Sequence, residues 1–240
     1  MPRLDQVLVE RGLAADLKEA RALVMAGQVL SGDTLLERPA ASVPAQLPLR
    51  VRGRKAFASR AGEKLAAALD ASGLPVEGRS CLDLGASTGG FTDALLKRGA
   101  KRVIAVELGT QQLAWSLRQD PRVDSREKTD ALALSLGDLD GPAGFACADL
   151  SFTSAKPFLP VLARLLAPGA GWVLLVKPQF EARLGEIGPG GIVRDDAVRE
   201  RVLEELRQAA VTAGLLPLGS LPSPLPGAKG NREWLLWGRR

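Results

Sequence analysis

Residues 83–91 read Asp-Leu-Gly-Ala-Ser-Thr-Gly-Gly-Phe, directly after an apolar run and directly before a helical pattern. A strand that ends on an acid, turns through glycines and enters a helix constrains the chain to an α/β arrangement. The glycines let backbone approach a ligand, and the helix presents free N–H groups to it. Asp83 stands at the base of the turn, and Gly85 and Gly89 hold the first and third glycine positions of a loose D-x-G-x-G-x-G pattern. Ser87 replaces the middle glycine. That replacement disfavours a pyrophosphate pressed on the turn and suits an uncrowded nucleoside such as S-adenosylmethionine. Glu107 closes a second apolar run, 103–106, where a carboxylate about 20 residues on would accept bonds from ribose hydroxyls. An ordinary tight strand–helix turn has the same spacing, because short glycine motifs are common.

Composition narrows the chemistry. The 240 residues, 46% apolar, fit one large or two modest domains. Cys81 and Cys147 each lie in an apolar run, which points away from a disulfide framework and towards the reducing cytoplasm. The opening Met-Pro-Arg-Leu-Asp lacks the apolar segment of a signal peptide, and no run approaches the ~18 apolar residues that span a bilayer. No membrane partner is expected. The chain has no histidine, so Ser-His and Cys-His nucleophiles and imidazole-ligated zinc are excluded. Proton handling falls to Lys, Asp, Glu or Cys, and no metal is expected.

Two regions differ in pattern. Leu4, Val7 and Leu8, then Leu17, Ala20, Leu23 and Val24, are spaced as the inner faces of two short helices, with Gly12 and Gly27 as stops and Asp16 as N-cap. A hairpin over 28–36 and a strand over 47–51 follow. Residues 1–53 thus read as a small α+β module, 54–59 as a basic linker and 60–240 as an α/β domain. The basic residues Arg3, Arg11, Lys18, Arg21, Arg50, Arg52, Arg54, Lys55 and Arg60 concentrate in the first sixty, and 50–60 contains no acid. This is the footprint of a polyanion partner, although a solvated arginine-rich linker has the same composition.

The α/β region predicts helices over 60–71, 90–98, 111–118, 155–166 and 195–213. Strands are predicted over 80–84, 102–106, 145–148, 171–176, 215–219 and 233–237. The alternation implies a mainly parallel sheet covered on both faces, with ligands at the carboxyl ends of its strands. The Pro/Gly-rich stretches 185–191 and 222–230 are candidate active-site loops.

Four charged residues fall where this arrangement would make them converge: Lys64, Asp149, Lys177 and Glu233. Asp149 opens Asp-Leu-Ser-Phe, which lacks the prolines of enzymes that methylate exocyclic amines. Cys147, inside a strand, is poorly placed as a nucleophile for cytosine C5. A hydroxyl acceptor remains. A ribose 2′-OH is weakly acidic, so a lysine of depressed pKa can serve as base while a second positive charge stabilises the oxyanion.

These residues resemble the K-D-K-E tetrad of FtsJ/RrmJ-like ribose 2′-O-methyltransferases. The runs 82–92, 112–123, 149–152, 176–181 and 223–231 resemble the TlyA family, which joins an N-terminal S4 RNA-binding module to an FtsJ-like Rossmann domain. The resemblance covers essentially the whole chain. It implies S-adenosylmethionine-dependent 2′-O-methylation of cytidine in ribosomal RNA, with the ribosomal subunit as partner, the large subunit as the first expectation and the small subunit as a further one. It also implies Asp83, Gly85, Ser87, Gly89, Glu107, Asp130 and Asp149 around the cofactor, with Asp130 near the adenine. Lys177 would be the base, Asp149 and Glu233 would tune it, and Lys64 would stabilise the acceptor oxygen. The chain departs from the usual family pattern in having Glu107 for Asp and Asp130 for Asn. Two rival readings are a non-catalytic ribosome-assembly factor and a haemolysin-type membrane-active protein. The first needs no tetrad, and the second lacks a membrane-like stretch.

Overall fold

The computed structural model describes every residue except Ala15, Ala45, Arg54 and Lys55. The chain divides into two compact units, Met1–Lys55 and Ala56–Arg240.

In the first unit, α1 (Leu4–Glu10) is followed by Gly12 at φ 64°. Asp16 caps α2 (Leu17–Met25) by accepting the Glu19 N–H at 2.7 Å. The strands β1 (Val29–Ser31), β2 (Thr34–Leu35) and β3 (Arg50–Val51) form an antiparallel sheet in the order β2-β1-β3. The strand expected over 47–51 keeps only its last two residues, because the Leu47 N–H closes a turn on the Pro44 carbonyl. Leu4, Val7, Leu8, Ala20, Val24 and Val29 form the core and Leu23 packs against it, whereas Leu17, expected on the inner face of α2, is exposed in its first turn.

The second unit begins with α3 (Ala61–Ser72), β4 (Ser80–Leu84), α4 (Gly90–Lys97), β5 (Arg102–Val106), α5 (Trp115–Arg118) and β6 (Val123–Arg126). It continues through β7 (Ala143–Ala148), α6 (Leu159–Leu165), β8 (Leu166–Val176), α7 (Pro178–Glu181), α8 (Asp196–Thr212), β9 (Leu216–Pro222) and β10 (Trp234–Arg239). The seven-stranded sheet has the order β6-β5-β4-β7-β8-β10-β9. The strands from β6 to β8 are parallel, and β10 runs antiparallel to both β8 and β9.

Each central strand alternates between two cores, as a sheet covered on both faces requires. Leu82, Leu84, Ala146, Ala148, Trp172 and Leu174 face one side, against α6 and α8. Cys81, Phe145, Cys147, Val173 and Leu175 face the other, against α3 and α4. Both cysteines are buried and free.

Three expectations change. The helix over 111–118 contracts to α5, because Gln111 is left-handed at φ 55° and Ala114 is extended at ψ 140°. The helix over 155–166 becomes a 3₁₀ turn, Lys156–Phe158, and then α6; Leu166 is already extended and opens β8 well before residue 171. Strand β6 was not expected, since its Val-Asp-Ser-Arg sequence has no apolar run and it pairs only at the sheet edge.

Candidate active site

The strand order reverses about β4. Its parallel neighbours β5 and β7 lead away on opposite sides, so the segments leaving their carboxyl ends part and open a crevice. A cleft of about 720 Å³ lies there. Gly85 and Ser87 line it after β4, Glu107 and Leu108 after β5, Asp130 and Leu132 after β6, and Asp149 and Ser151 after β7.

The turn after β4 is closely packed. Gly85 has φ 80°, and a Cβ there would stand 2.6 Å from the Asp149 carbonyl oxygen. At Gly89, φ 94°, a Cβ would meet a Leu117 methyl at 2.3 Å. Gly89 therefore packs the turn against α5 and is not among the residues lining the cleft. Ser87 and Phe152, both lining residues, also hold positive φ, 48° and 64°. Non-glycine residues persist in that region only when their surroundings fix them, and such strain gathers at functional sites.

Glu107 fixes the turn from the neighbouring strand. Its carboxylate accepts the Ser87 N–H at 2.9 Å and the Gly109 N–H at 2.8 Å. Asp130 accepts the Leu132 N–H at 2.9 Å. Asp83 is placed differently from a cleft residue. It is fully buried on the α3/α4 face, accepts the Thr92 hydroxyl at 2.6 Å and has the Cys147 thiol at 3.6 Å. Burial pushes its carboxyl up to about 7, against the lowering effect of the Thr92 hydrogen bond. Burial likewise pushes the Cys147 thiol well above its usual range, which removes it as a nucleophile.

The tetrad forms two ion pairs. Lys177 Nζ lies 2.6 Å from Asp149 Oδ1 and donates to Ser151 Oγ at 2.7 Å. The contact with Asp149 lacks the alignment of a hydrogen bond, which leaves that buried oxygen without a hydrogen-bond donor. Lys64 Nζ meets Glu233 Oε2 at 2.5 Å, and both residues are buried. Glu233 thus pairs directly with Lys64. Glu233 precedes Trp234 and Lys177 follows Val176, and Trp234–Val176 is the end pair of the antiparallel ladder. Gly227 covers Glu233, since a Cβ there would fall 1.9 Å from Oε1. The stretch 222–230 therefore does border the site.

Of the basic residues, Arg3 and Arg21 both bind the fully buried Asp5, at 2.8 and 3.0 Å. The Arg3 hydrogen bond, opposed by burial and aided by Arg21, holds Asp5 well below the usual carboxylate range. Arg11 donates to the Leu47 carbonyl at 2.6 Å, and Arg50 to that of Gly32 at 3.3 Å. Lys18, Arg52 and Arg60 are exposed, with Arg60 at the start of α3 in the second unit. Arg54 and Lys55 lie outside the described residues.

Sequence reasoning passed over two residues next to this site, Ser151 and Glu181. Both lie inside runs already singled out, Asp-Leu-Ser-Phe and Lys-Pro-Gln-Phe-Glu, so the signal was present but unassigned. Among the described residues, no helix is long and apolar enough to cross a membrane.

A turn with a carboxylate at the second strand end and a Lys-Asp-Lys-Glu set beside it are features of a nucleoside-dependent group-transfer fold. Residues 57–240 match the FtsJ-like methyltransferase family model, and the chain belongs to that family. Within it, the chain is 44% identical over 237 residues to "16S/23S rRNA (cytidine-2'-O)-methyltransferase TlyA" of Mycobacterium tuberculosis, covering 98% of this chain and 88% of the relative. That likeness puts it in the TlyA family. A solved structure from Streptococcus thermophilus that bears a hemolysin name has a TM-score of 0.76 at 40% identity, covering 99% of this chain and 88% of that one. A Burkholderia thailandensis N-methyltransferase with bound S-adenosylhomocysteine shares the fold, with a TM-score of 0.51 at 21% identity over 76% of this chain and 79% of that one.

Proposed function

We propose that this chain methylates the 2′-hydroxyl of a cytidine in ribosomal RNA, first of the large subunit, using S-adenosylmethionine. The observation that carries the reading is the pair of ion pairs, Lys177–Asp149, after the ends of β8 and β7, and Lys64–Glu233, between α3 and the start of β10.

The residues present fit the cofactor. The cleft has the volume of a small-molecule site and is lined by three carboxylates, Glu107, Asp130 and Asp149, with no basic side chain among its lining residues. Such a donor set suits a cation that also carries ribose hydroxyls. Glu107 would take the ribose and Asp130 the adenine side, with the turn at Gly85 and Ser87 beneath. When bound, S-adenosylmethionine supplies a methyl group activated by its sulfonium charge.

The chain's own residues handle the acceptor. Lys177, as the neutral amine, takes the proton of the 2′-OH on the lone pair of Nζ, while its two N–H groups face Asp149 and Ser151 and keep the nitrogen in position. Lys64, anchored by Glu233, presents its ammonium to the developing oxyanion. The basic residues of the first unit, Arg3, Arg11, Lys18, Arg21, Arg50 and Arg52, would meet RNA phosphates and orient the substrate.

The test is mass mapping of ribose methylation on ribosomal subunits incubated with cofactor and the full chain, wild type or Lys177→Arg. The wild type should add one methyl to a cytidine ribose. The arginine variant should lose at least about 100-fold in rate, since a guanidinium cannot act as base and such catalysis contributes 10²–10⁴-fold. Methylation of a base, or an arginine variant within about a tenth of the wild-type rate, would reject the reading.

A further inference from the structure

Glu181 ends the run Lys-Pro-Gln-Phe-Glu and lies one turn beyond Lys177, on α7. The reaction described above gives it no role, and it does not line the cleft. Its Oε1 accepts the Ala155 backbone N–H at 2.6 Å, and its Oε2 accepts the Ser154 hydroxyl at 2.7 Å. Ser154 Oγ in turn accepts the Lys156 N–H at 3.2 Å.

These contacts join two segments that leave adjacent parallel strands. One follows β7 and carries Asp149, Ser151 and Ser154. The other follows β8 and carries Lys177 and Glu181. The segments are therefore tied twice: at the front by Lys177 to Asp149 and Ser151, and behind by Glu181 to Ser154 and Ala155.

The two ties differ in what turnover asks of them. Two of the three directions at Lys177 Nζ face Asp149 and Ser151, which leaves the third, carrying the lone pair of the neutral amine, to the acceptor hydroxyl. The proton that arrives there turns the amine into an ammonium, so the front tie changes in strength during the reaction and does not by itself fix the spacing of the segments. The tie behind uses atoms that the acceptor does not need. It is also charge-assisted, with a carboxylate accepting from a backbone N–H and a hydroxyl, which makes it the stronger type of hydrogen bond.

We propose that Glu181 is a positioning residue: it holds the Lys177 segment against the Asp149 segment while the charge on Nζ changes. The proposal rests on the reading that Lys177 acts on the acceptor. Misplacing a reacting group by about 1 Å costs about 100-fold, so a tie of this kind has a kinetic signature.

The experiment uses the full chain, ribosomal subunits and single-turnover methyl transfer at saturating cofactor and subunit. Glu181→Ala should lower the rate constant by about 10- to 100-fold, with cofactor and subunit affinities unchanged within about twofold. Glu181→Gln should recover to within about threefold of wild type, since its oxygen can accept the Ala155 N–H and its amide can donate to Ser154. Ser154→Ala should lose about threefold, and nothing further when combined with Glu181→Ala, because both remove one tie. A wild-type rate constant for Glu181→Ala overturns the proposal. So does a loss accounted for by weaker binding, or one that glutamine fails to restore. Should Glu181→Ala not fold, Ser154→Ala decides, and a wild-type rate there overturns the proposal. A wild type that transfers no methyl group would overturn the functional reading and this proposal with it; an active wild type matched by Glu181→Ala overturns this proposal alone.

Discussion

Replacing Gly85 with alanine tests whether the turn after β4 is built by close approach of two strand ends or only by a permissive backbone angle. The structure gives both effects at this residue. At φ 80° an alanine is left-handed, which costs about 1–2 kcal/mol. Its Cβ would also stand 2.6 Å from the Asp149 carbonyl oxygen, which is backbone and has no flexible end to give way. Relieving that overlap moves one strand end by several tenths of an ångström, an overpacking cost of about 1–3 kcal/mol. Gly73 supplies the control. It closes α3 at φ 62°, and a Cβ there meets nothing within 4 Å, so Gly73→Ala carries the backbone cost alone.

Urea unfolding followed by tryptophan fluorescence suits the comparison, because Trp115, Trp172, Trp234 and Trp237 all lie in the second unit. Gly85→Ala should be less stable than Gly73→Ala by about 1–3 kcal/mol. It should also bind S-adenosylmethionine at least about tenfold more weakly by calorimetry, since the displaced atoms belong to Asp149 and the turn. Equal stabilities within about 0.5 kcal/mol, the ordinary scatter between independent sites, would refute the close approach. An unchanged cofactor affinity would detach the turn from the cofactor.

Two further predictions follow. Burial raises the Asp83 carboxyl from 3.8 to about 7, so between those values the unfolded chain has lost a proton that the folded chain keeps. Its stability contribution is then full below the lower value and falls by up to about 1.4 kcal/mol per pH unit as pH rises towards the upper one. Asp83→Asn removes this titration, so urea unfolding should show the variant gaining on wild type between about pH 4.5 and 6.5; parallel curves would refute the shift. In the first unit, Arg50→Ala with Arg52→Ala should weaken subunit binding and lower its salt slope by up to about two phosphate contacts, and an unchanged slope would remove both from the RNA face.

The parts of the site that follow from backbone direction were legible in the sequence. A parallel sheet sends every strand end to one side, so Gly85, Glu107 and Asp149 had to gather once the strands were recognised. Strand alternation carries the same kind of information at Asp83. It shares a face with Cys81, two residues back, and that face packs on α3 and α4. Its carboxylate accordingly turns into the core, on Thr92, although its place at the turn suggests a cofactor contact. Edge structure was harder to see, because β6 is half-exposed and charged and so lacks the apolar signature of a strand.

Partner choice is set at a different level. Lys64 and Glu233 are 169 residues apart, and they meet because β10 enters antiparallel between β8 and β9. Periodicity gives a strand over 233–237 but no direction or neighbour for it, and both decide which lysine Glu233 reaches. Reversing β10 would carry the acid to the opposite end of the sheet and leave Lys64 buried with no counter-charge, a cost of several kcal/mol. The ion pair therefore depends on this strand order and direction. The tie between Glu181 and Ser154 belongs to the same level: the two segments adjoin because β7 and β8 are parallel neighbours, and the acid then takes the nearest unpaired N–H and hydroxyl. Residues that read as a charged motif along the chain thus become, through strand order, the pieces that hold one another in place.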